Sequence, residues 1–444
     1  MENERISNKP VAKKVCVIGA GAAGLCAARH LAKNSNAGFE FVVFEKTDRV
    51  GGTWVYTDRT GKDDNGLPIH SSMYKNLRTN LPKELMNFPD YREIKGGNRS
   101  CVSHDVIRDY LEDYAVHFHL KQYIRFNTIV ESVKPENDSP FTKWNVKAKH
   151  VKTSTTEEYT YDAVMVCNGH FFEPYTPDIP GLSDFKGRVM HSHVYRKPDS
   201  FENQNVLVLG ASSSGVDIAF EISDRTTRVY LSHNNPRLSN KSPLPTKVTE
   251  VQGVDKFESG EFVLRDGSRL SCIDSLVFCT GYKFSYPFLQ TGSCGLDVDD
   301  NFVNPLYKHL VNARRPSMCV VGIPTSVVPF PMFHMQVQYY LSILIGKTRL
   351  PSTTAMLEDS NASLQGGKKK RHAHKLADAQ WDYNDGLAKD AGIEPLPKFY
   401  RRGFELWSVN RTKNLTEYKN LTLRVGSLDG EDVEIIVYDN MTHV

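Results

Sequence analysis

Glycine recurs at three closely spaced positions, Gly19, Gly21 and Gly24, between a short apolar run and a helical pattern. These glycines allow a tight turn and let the backbone approach a pyrophosphate, which then meets free N–H groups at the start of a helix. A second apolar run ends in Glu45, 21 residues after the last glycine (45 − 24 = 21), where a carboxylate suits ribose hydroxyls. Together they form a complete dinucleotide fingerprint. The predicted contacts are Gly19, Gly21, Ala22, Ala23, Gly24 and Glu45.

A second copy of this pattern occupies residues 205–222, with the sequence NVLVLGASSSGVDIAFEI. Gly210 and Gly215 hold the first and last glycine positions, and Ser212 takes the middle one. A small side chain still permits close approach of a nucleotide, and its hydroxyl can bond a phosphate. An ordinary strand–turn–helix without a ligand is the alternative. The predicted contacts are Gly210, Ser212, Ser213, Ser214 and Gly215.

The strand after the second fingerprint is predicted to end at Ser232 and His233, with Arg237 a few residues further on. The sequence shows no acid at this strand end. An acid there would favour the 2′-hydroxyl of NADH and repel the 2′-phosphate of NADPH. These three residues therefore predict a preference for NADPH, although His233 is equally compatible with a solvated loop.

Two fingerprints predict an α/β fold with two dinucleotide-binding (Rossmann-type) domains, one for FAD and one for the nicotinamide cofactor. A proline-rich crossover at residues 173–181 leaves the first unit, and the chain returns near residues 281–287. The NADPH domain is thus expected as an insertion in a discontinuous FAD domain. The predicted bounds are 11–175 and 291–444 for FAD, 176–290 for NADPH, and 1–10 for a flexible N-terminal segment.

Composition limits the possible partners and locations. The chain has 444 residues and a formal net charge of +3, which gives no electrostatic reason to expect a nucleic-acid partner. No apolar run of about 20 residues and no leader are present, so we expect a soluble, cytoplasmic protein without a membrane anchor. Secretion with a missing leader is the alternative, because eight N-x-S/T sequons occur. They begin at Asn98, Asn137, Asn240, Asn361, Asn410, Asn414, Asn420 and Asn440.

The eight cysteines do not suggest disulfides. Five lie inside apolar runs, where a thiol usually packs as a small hydrophobe: Cys16, Cys26, Cys167, Cys279 and Cys319. No CxxC pair occurs, so we predict no metal site. Disulfide reductases bind the same two nucleotides but need a cysteine pair beside the flavin. No cysteine stands between Cys26 and Cys101, which excludes that class.

Further motifs resemble the class B flavin monooxygenases, most closely the FMO branch, over roughly residues 11–345. Residues 185–195 match the sequence F-x-G-x-x-x-H-x-x-x-Y, and residues 279–282 match a TGY strand end. Tyr195 argues against the Baeyer–Villiger sister group, which usually carries tryptophan there. Residues 78–84 resemble a segment whose asparagine lies beside the flavin. The polar end of the chain resembles the soluble insect members, including pyrrolizidine-alkaloid N-oxygenases of the senecionine N-oxygenase type.

The resemblance implies an NADPH- and O2-dependent enzyme that oxygenates tertiary-amine nitrogen or sulfide sulfur through a C4a-hydroperoxyflavin. It implies a catalytic role for Asn80, whose amide would bond to the flavin and nicotinamide regions. The implied partners are a small nucleophilic substrate and O2, with a homodimer left open. The alternatives are an uncoupled NADPH oxidase of the same fold and a non-catalytic nucleotide-binding protein.

The same resemblance assigns other cofactor contacts. Gly52, Thr53 and Trp54 are expected near the flavin, and Tyr74 near the nicotinamide nucleotide. Val130 would contact the FAD adenine through its backbone, and Gln336, expected to start a helix running to residue 346, would lie against the flavin. Two further residues, His191 and Tyr195, are expected to brace the linker between the domains.

Overall fold

The computed structural model describes residues 13–290 and 292–436. Eight strands precede the second unit: β1 (Lys13–Ile18), β2 (Phe39–Phe44), β3 (Ile124–Arg125), β4 (Thr128–Pro135), β5 (Trp144–His150), β6 (Thr156–Tyr161), β7 (Ala163–Val166) and β8 (Glu173–Pro174). Nine follow in the second unit: β9 (Arg188–His191), β10 (Asn205–Leu209), β11 (Arg228–Ser232), β12 (Val248–Val251), β13 (Val254–Glu258), β14 (Glu261–Leu264), β15 (Arg269–Leu270), β16 (Ser275–Phe278) and β17 (Tyr282–Lys283).

The remaining strands are β18 (Asp297–Asp299), β19 (Phe302–Asn304), β20 (Leu306–Tyr307), β21 (Val311–Asn312), β22 (Met318–Val320), β23 (Thr422–Val425) and β24 (Val433–Ile436). The α-helices are α1 (Ala22–Lys33), α2 (Lys83–Met86), α3 (His104–His117), α4 (Ser213–Ser223), α5 (Pro329–Leu344), α6 (Thr353–Ala362), α7 (Gln380–Ala391) and α8 (Phe399–Lys413).

Two separate sheets organise the molecule. The first has seven strands in the order β20-β21-β22-β7-β1-β2-β3, with parallel pairing from β22 to β3. The second has five parallel strands in the order β12-β11-β10-β16-β9. Each fingerprint follows an interior parallel strand of its sheet, β1 or β10, so the predicted α/β fold with two Rossmann-type units is confirmed.

Along the chain, the segment that forms the second sheet lies between the two segments that form the first sheet. The first sheet draws its strands from residues 13–166 and 306–320, while the second uses residues 188–278. Strand β8 lies where the chain leaves the first unit, and β17 lies where it returns. These two strands pair with each other as an antiparallel ribbon. The predicted segment 1–10 lies outside the described residues, and the exact domain bounds stay a prediction.

The first unit has the larger apolar core. Helices α1 and α5 pack together beside the first sheet, with Leu25, Ala28 and Leu31 of α1 fully buried. Helix α1 is buried almost continuously from Ala22 to Leu31, as expected of a helix that is apolar on nearly every side. The five cysteines predicted to be buried are all buried and unpaired. Among the described residues, no helix is both apolar and long enough to cross a membrane.

Candidate functional site

The first glycine loop, residues 19–24, needs glycine for two measurable reasons. Gly19 has a φ of +102°, and a Cβ there would lie 2.7 Å from the carbonyl oxygen of Cys167. A Cβ on Gly24 would lie only 1.8 Å from the carbonyl oxygen of Gly19. Helix α1 starts without a side-chain cap on Gly21, so its first N–H groups stay free for an anion.

The second glycine loop, residues 210–215, repeats this construction. Gly210 has a φ of +104°, with its Cβ position 2.4 Å from the carbonyl oxygen of Cys279, the residue that follows β16. A Cβ on Gly215 would lie 1.7 Å from the carbonyl oxygen of Gly210. Ser212 precedes α4 and makes no capping hydrogen bond. Both loops therefore offer the same cradle for a pyrophosphate, although the second has serine at its centre.

The Gly51-Gly52 turn packs onto the first glycine loop. Gly51 N–H donates to the carbonyl of Ala20 at 3.0 Å, and a Cβ on Gly52 would lie 3.0 Å from the Cα of Gly21. This contact places the following residues, Thr53 and Trp54, at the wall of a large cleft.

The carboxylate of Glu45 makes several hydrogen bonds within the protein, which the sequence alone did not indicate. It accepts hydrogen bonds from Ala20 N–H at 2.8 Å, from Thr47 N–H at 2.9 Å and from the Thr47 hydroxyl at 2.8 Å. A carboxylate offers about four lone-pair positions. Glu45 thus fixes the first glycine loop and retains room for roughly one further donor.

The cleft has a volume of about 1340 Å³ and runs between the two units. It brings together ten of the 21 residues predicted for the flavin and nicotinamide: Thr53, Trp54, Tyr74, Asn80, Gly210, Ser212, Ser213, Ser214, Ser232 and His233. The remaining predicted residues lie outside its lining: Gly19, Gly21, Ala22, Ala23, Gly24, Glu45, Gly52, Val130, Gly215, Arg237 and Gln336.

Asn80 joins the two units directly. Its side-chain amide donates to the hydroxyl of Ser213, in the first turn of α4, at 2.9 Å. Arg411 of α8 donates to the same hydroxyl at 3.2 Å, and Trp407 Nε1–H donates to the carbonyl of Asn80 at 3.1 Å. Sequence reasoning missed Arg411 and Trp407, because nothing near them along the chain marks a nucleotide site.

Three aromatic and imidazole side chains brace the wall of the second unit. The Tyr74 hydroxyl donates to Asp217 at 2.8 Å, and the Tyr195 hydroxyl donates to Glu221 at 2.7 Å. His191 Nε2–H donates to the carbonyl of Gly281 at 3.0 Å while its Nδ1 accepts from the backbone N–H two residues on. Burial lowers the pKa of His191 to about 4, which keeps the ring neutral in both roles.

An acid does reach the end of β11, but from the neighbouring strand. Glu250 of β12 accepts from His233 Nε2–H at 2.9 Å and from the N–H groups of Leu238 and Ser239 at 2.7 and 2.9 Å. Burial alone would raise the pKa of Glu250, but these hydrogen bonds outweigh it and lower the pKa. The prediction that no acid stands at this strand end is corrected, because the pairing of β11 with β12 brings Glu250 there. Glu250 is engaged in shaping the loop after β11.

Arg237 is exposed and does not line the cleft, and its contact with a nucleotide phosphate stays a prediction. Arg265, at the end of β14, lines the cleft instead, together with Asn234. A hairpin far along the chain supplies this arginine, which the motif's spacing does not indicate.

Gln336 also needs correction, because it does not start a helix. Helix α5 begins at Pro329, since proline is tolerated in a first turn, and this leaves Gln336 in the helix interior. The fully buried amide accepts from Gly322 N–H at 2.9 Å and donates to the Tyr383 hydroxyl at 2.7 Å. The carbonyl and the NH2 of the Gln336 side chain therefore both bond within the protein. The bond to Gly322 holds that residue at the cleft wall.

Val130 lies in β4, whose first residue, Thr128, donates its N–H to the carbonyl of Glu45 at 2.8 Å. The side chain of Val130 is buried in the core behind the first sheet. The ladder between β4 and β5 slips between Val130 and Ser132, which marks a bulge where backbone groups depart from regular pairing.

Comparison with known proteins extends over almost the whole chain. The family model described as flavin-binding monooxygenase-like matches residues 12–238 and 241–395. The chain is 38% identical to flavin-containing monooxygenase FMO GS-OX4 of Arabidopsis thaliana, covering 85% of this chain and 84% of that protein. It is 34% identical to senecionine N-oxygenase of Tyria jacobaeae, covering 95% and 91%.

Solved structures agree in fold. S-allyl-L-cysteine S-oxygenase from Allium sativum superposes with a TM-score of 0.84 at 34% identity, covering 92% of this chain and 95% of that one. Tmm from Pelagibacter sp. strain HTCC7211 gives 0.82 at 28% identity, with 95% of each chain covered. A cyclohexanone monooxygenase is similar in fold alone, at 15% identity and a TM-score of 0.61, covering 86% of this chain and 98% of that one.

Proposed function

The chain belongs to the flavin-binding monooxygenase-like family, and we propose that it oxygenates tertiary-amine nitrogen and sulfide sulfur in small soft nucleophiles. It is a flavin-containing monooxygenase that uses FAD, NADPH and O2. Support for these two reacting atoms comes from a senecionine N-oxygenase and an S-allyl-L-cysteine S-oxygenase, each similar to this chain over most of its length. Pyrrolizidine alkaloids are the first amines that we propose as substrates. The senecionine N-oxygenase is similar to 95% of this chain, and the S-oxygenase is similar to 92%.

Both cofactors fit the loops that would hold them. The Cβ positions of Gly24 and Gly215 fall on backbone oxygens of the same loops, so only glycine lets each helix start tightly against its turn, with its first N–H groups at the phosphate position. We assign FAD to the first glycine loop, with Glu45 at its ribose and Val130 at its adenine, and NADPH to the second. Bound FAD, reduced by NADPH, supplies the activation of O2 for oxygen transfer.

The protein must then orient the reactants and keep water away from them. The observation that carries this proposal is the bond from Asn80 to Ser213 at 2.9 Å, which fixes a flavin-side amide to the nucleotide-binding turn of the other unit. Trp407 holds the backbone of Asn80, and Arg411 places a positive charge at the same turn. Aromatic rings, including Trp54, line the cleft and limit access of water.

Selectivity for NADPH is assigned to Arg265 and Asn234 rather than to Arg237. A guanidinium is suited to bidentate contact with a phosphate. Arg265 lies on the cleft side of the loop after β11, which Glu250 holds in shape through His233. Ser232 is buried at the strand end, with its hydroxyl donating to the carbonyl of Gln252 at 2.9 Å.

We also propose a cytoplasmic location. All eight cysteines are unpaired, and Cys272 is exposed, which suits a reducing compartment.

The test measures NADPH consumption, peroxide release and oxygenated product together, with a pyrrolizidine alkaloid, a simple tertiary amine and a simple sulfide. We expect consumption to rise with substrate and peroxide to fall as product forms. Peroxide equal to the NADPH consumed with all three substrates would identify an uncoupled oxidase. Protein that retains no flavin after purification and reconstitution would identify a non-catalytic nucleotide-binding protein.

A further inference from the structure

Three potential metal ligands meet in the interior between α1 and α5. The Sγ atom of Cys26 and one ring nitrogen each of His30 and His334 all lie within 4.8 Å of one another. His30 Nε2 and His334 Nδ1 are 3.1 Å apart. Cys26 and His30 stand four positions apart on α1, so both side chains face the same side of that helix.

A fourth group faces this cluster without a hydrogen-bond partner. Asp90 places Oδ1 3.7 Å from His334 Nδ1, and both of its carboxylate oxygens are buried without a hydrogen bond. Arg29 Nε lies 3.3 Å from the other oxygen and also lacks a hydrogen bond. The ion pair with Arg29 balances the charge of this carboxylate, while Oδ1, the oxygen nearer His334, has its hydrogen-bonding positions unfilled.

We propose that Cys26, His30, His334 and Asp90 bind a zinc ion that ties α1 to α5. Zinc takes four ligands at about 2.0–2.3 Å, which places neighbouring ligand atoms roughly 3.3–3.8 Å apart. The ring nitrogens of His30 and His334 are 3.1 Å apart, Asp90 Oδ1 is 3.7 Å from His334 Nδ1, and the Cys26 sulfur lies within 4.8 Å of both rings' nitrogens, so the separations lie near that range. A thiolate and a carboxylate together offset the charge of the ion, and the mixture of sulfur and imidazole favours zinc over magnesium or calcium.

A metal binds the neutral form of an imidazole ring and the deprotonated form of a thiol. Zinc binding would displace the proton from the Cys26 thiol, forming the S–Zn bond and releasing H⁺ to solvent. The CxxC criterion overlooks such a site, because two ligands share a helix and the others come from distant parts of the chain.

The site is structural rather than catalytic, since four protein ligands leave no open position. Its effect would reach the cofactors through both helices. Helix α1 begins at the first glycine loop, and α5 carries Gln336, which holds Gly322 at the cleft wall. We expect removal of zinc to lower the melting temperature and to weaken retention of flavin.

The test uses the full-length, FAD-loaded protein, stripped with a chelator, exposed to Zn²⁺ alone and dialysed. We expect about one zinc per chain by elemental analysis. Cys26→Ala and His30→Gln should each lose that zinc. Cys272→Ser is the matched control, because Cys272 is the exposed cysteine and the natural place for adventitious binding. It should keep the zinc.

Cobalt gives a readout that does not depend on the variants folding. Wild-type protein loaded with Co²⁺ should show intense ligand-field bands to the red of the flavin absorption, as a tetrahedral site with sulfur requires. Wild type that retains less than about a tenth of a zinc per chain, or a cobalt spectrum of an octahedral ion, overturns the proposal. So does zinc that persists in Cys26→Ala and disappears in Cys272→Ser.

Discussion

The amide of Asn80 and the hydroxyl of Ser213 lie 2.9 Å apart, although 133 residues separate them in the chain. Asn80 precedes α2 beside the first unit, and Ser213 begins α4 of the second. This single bond brings the predicted catalytic side chain to the phosphate-binding turn of the other nucleotide. The coupling between the two units can therefore be measured with point variants that remove this hydrogen bond.

Replacing Asn80 with alanine should uncouple NADPH consumption from oxygenation. Loss of the amide contact removes about 1–3 kcal/mol, or roughly ten- to a hundredfold in the ratio of product to peroxide. The measurement is product and peroxide formed per NADPH. Asn76→Ala is the matched control, because Asn76 is exposed and bonds to Glu221. Equal coupling in Asn80→Ala and wild type would remove Asn80 from the proposed machinery.

Arg265→Ala should raise the KM for NADPH by about tenfold or more, as expected for loss of a charge-assisted bond to a phosphate. The KM for NADH should stay nearly unchanged, because NADH lacks the 2′-phosphate. The companion variant Arg237→Ala should behave like wild type, since that residue does not line the cleft. A larger effect in Arg237→Ala than in Arg265→Ala would return the phosphate contact to Arg237.

The two glycine loops should fail separately. Gly24→Ala places a Cβ 1.8 Å from the Gly19 carbonyl oxygen and should give protein that retains little FAD. Gly215→Ala, with its Cβ at 1.7 Å from the Gly210 oxygen, should keep FAD but raise the KM for NADPH by about tenfold or more. Flavin content and steady-state kinetics distinguish them.

Gly386→Ala is the matched control for that pair. Gly386 lies inside α7, and a Cβ there meets nothing within 4 Å. It should leave both cofactors bound and stabilise the fold by about 0.4–1 kcal/mol, because alanine loses less chain entropy. Loss of FAD from Gly386→Ala as well would show that the loss of cofactor is not specific to the two glycine loops.

Stability should fall in mild acid, and His191 should contribute. Its pKa is about 4 in the folded protein and 6.5 in the reference state, so unfolding takes up a proton between these values. The stabilising effect of the neutral ring is present above pH 6.5 and is lost as the pH falls toward 4. Urea unfolding at about pH 7 and about pH 5 should show a smaller acid loss for His191→Gln than for wild type.

His117→Gln is the control for this pH dependence, because His117 is exposed at the end of α3. Its loss of stability between the two pH values should match that of wild type. If His191→Gln also matches wild type, the ring is not held neutral in the folded protein.

Local patterns predicted the two nucleotide units well, because their information is contiguous. The strand, glycine loop and helix from β1 to α1 are specified within about 20 residues, and the second copy follows the same rule. The helix predicted to start at Gln336 starts seven residues earlier, because Pro329 and Pro331 are tolerated in its first turn.

The parts that escaped prediction come from distant segments that only the tertiary fold brings together. Arg265 reaches the cleft through the β14 hairpin, and Arg411 and Trp407 through α8. Glu250 arrives through sheet pairing, where it stands opposite Leu231. None of these relationships leaves a period or a motif in one sequence.

The ribbon formed by β8 and β17 sets the modularity of the chain. Glu173 stands opposite Lys283, so the segment that forms the second sheet leaves and re-enters its host at adjacent points. A segment whose ends are neighbours behaves as a cassette, which can be exchanged without stretching the chain around it. Nucleotide preference can thus diverge by grafting this cassette, while the connectivity of the flavin unit is preserved.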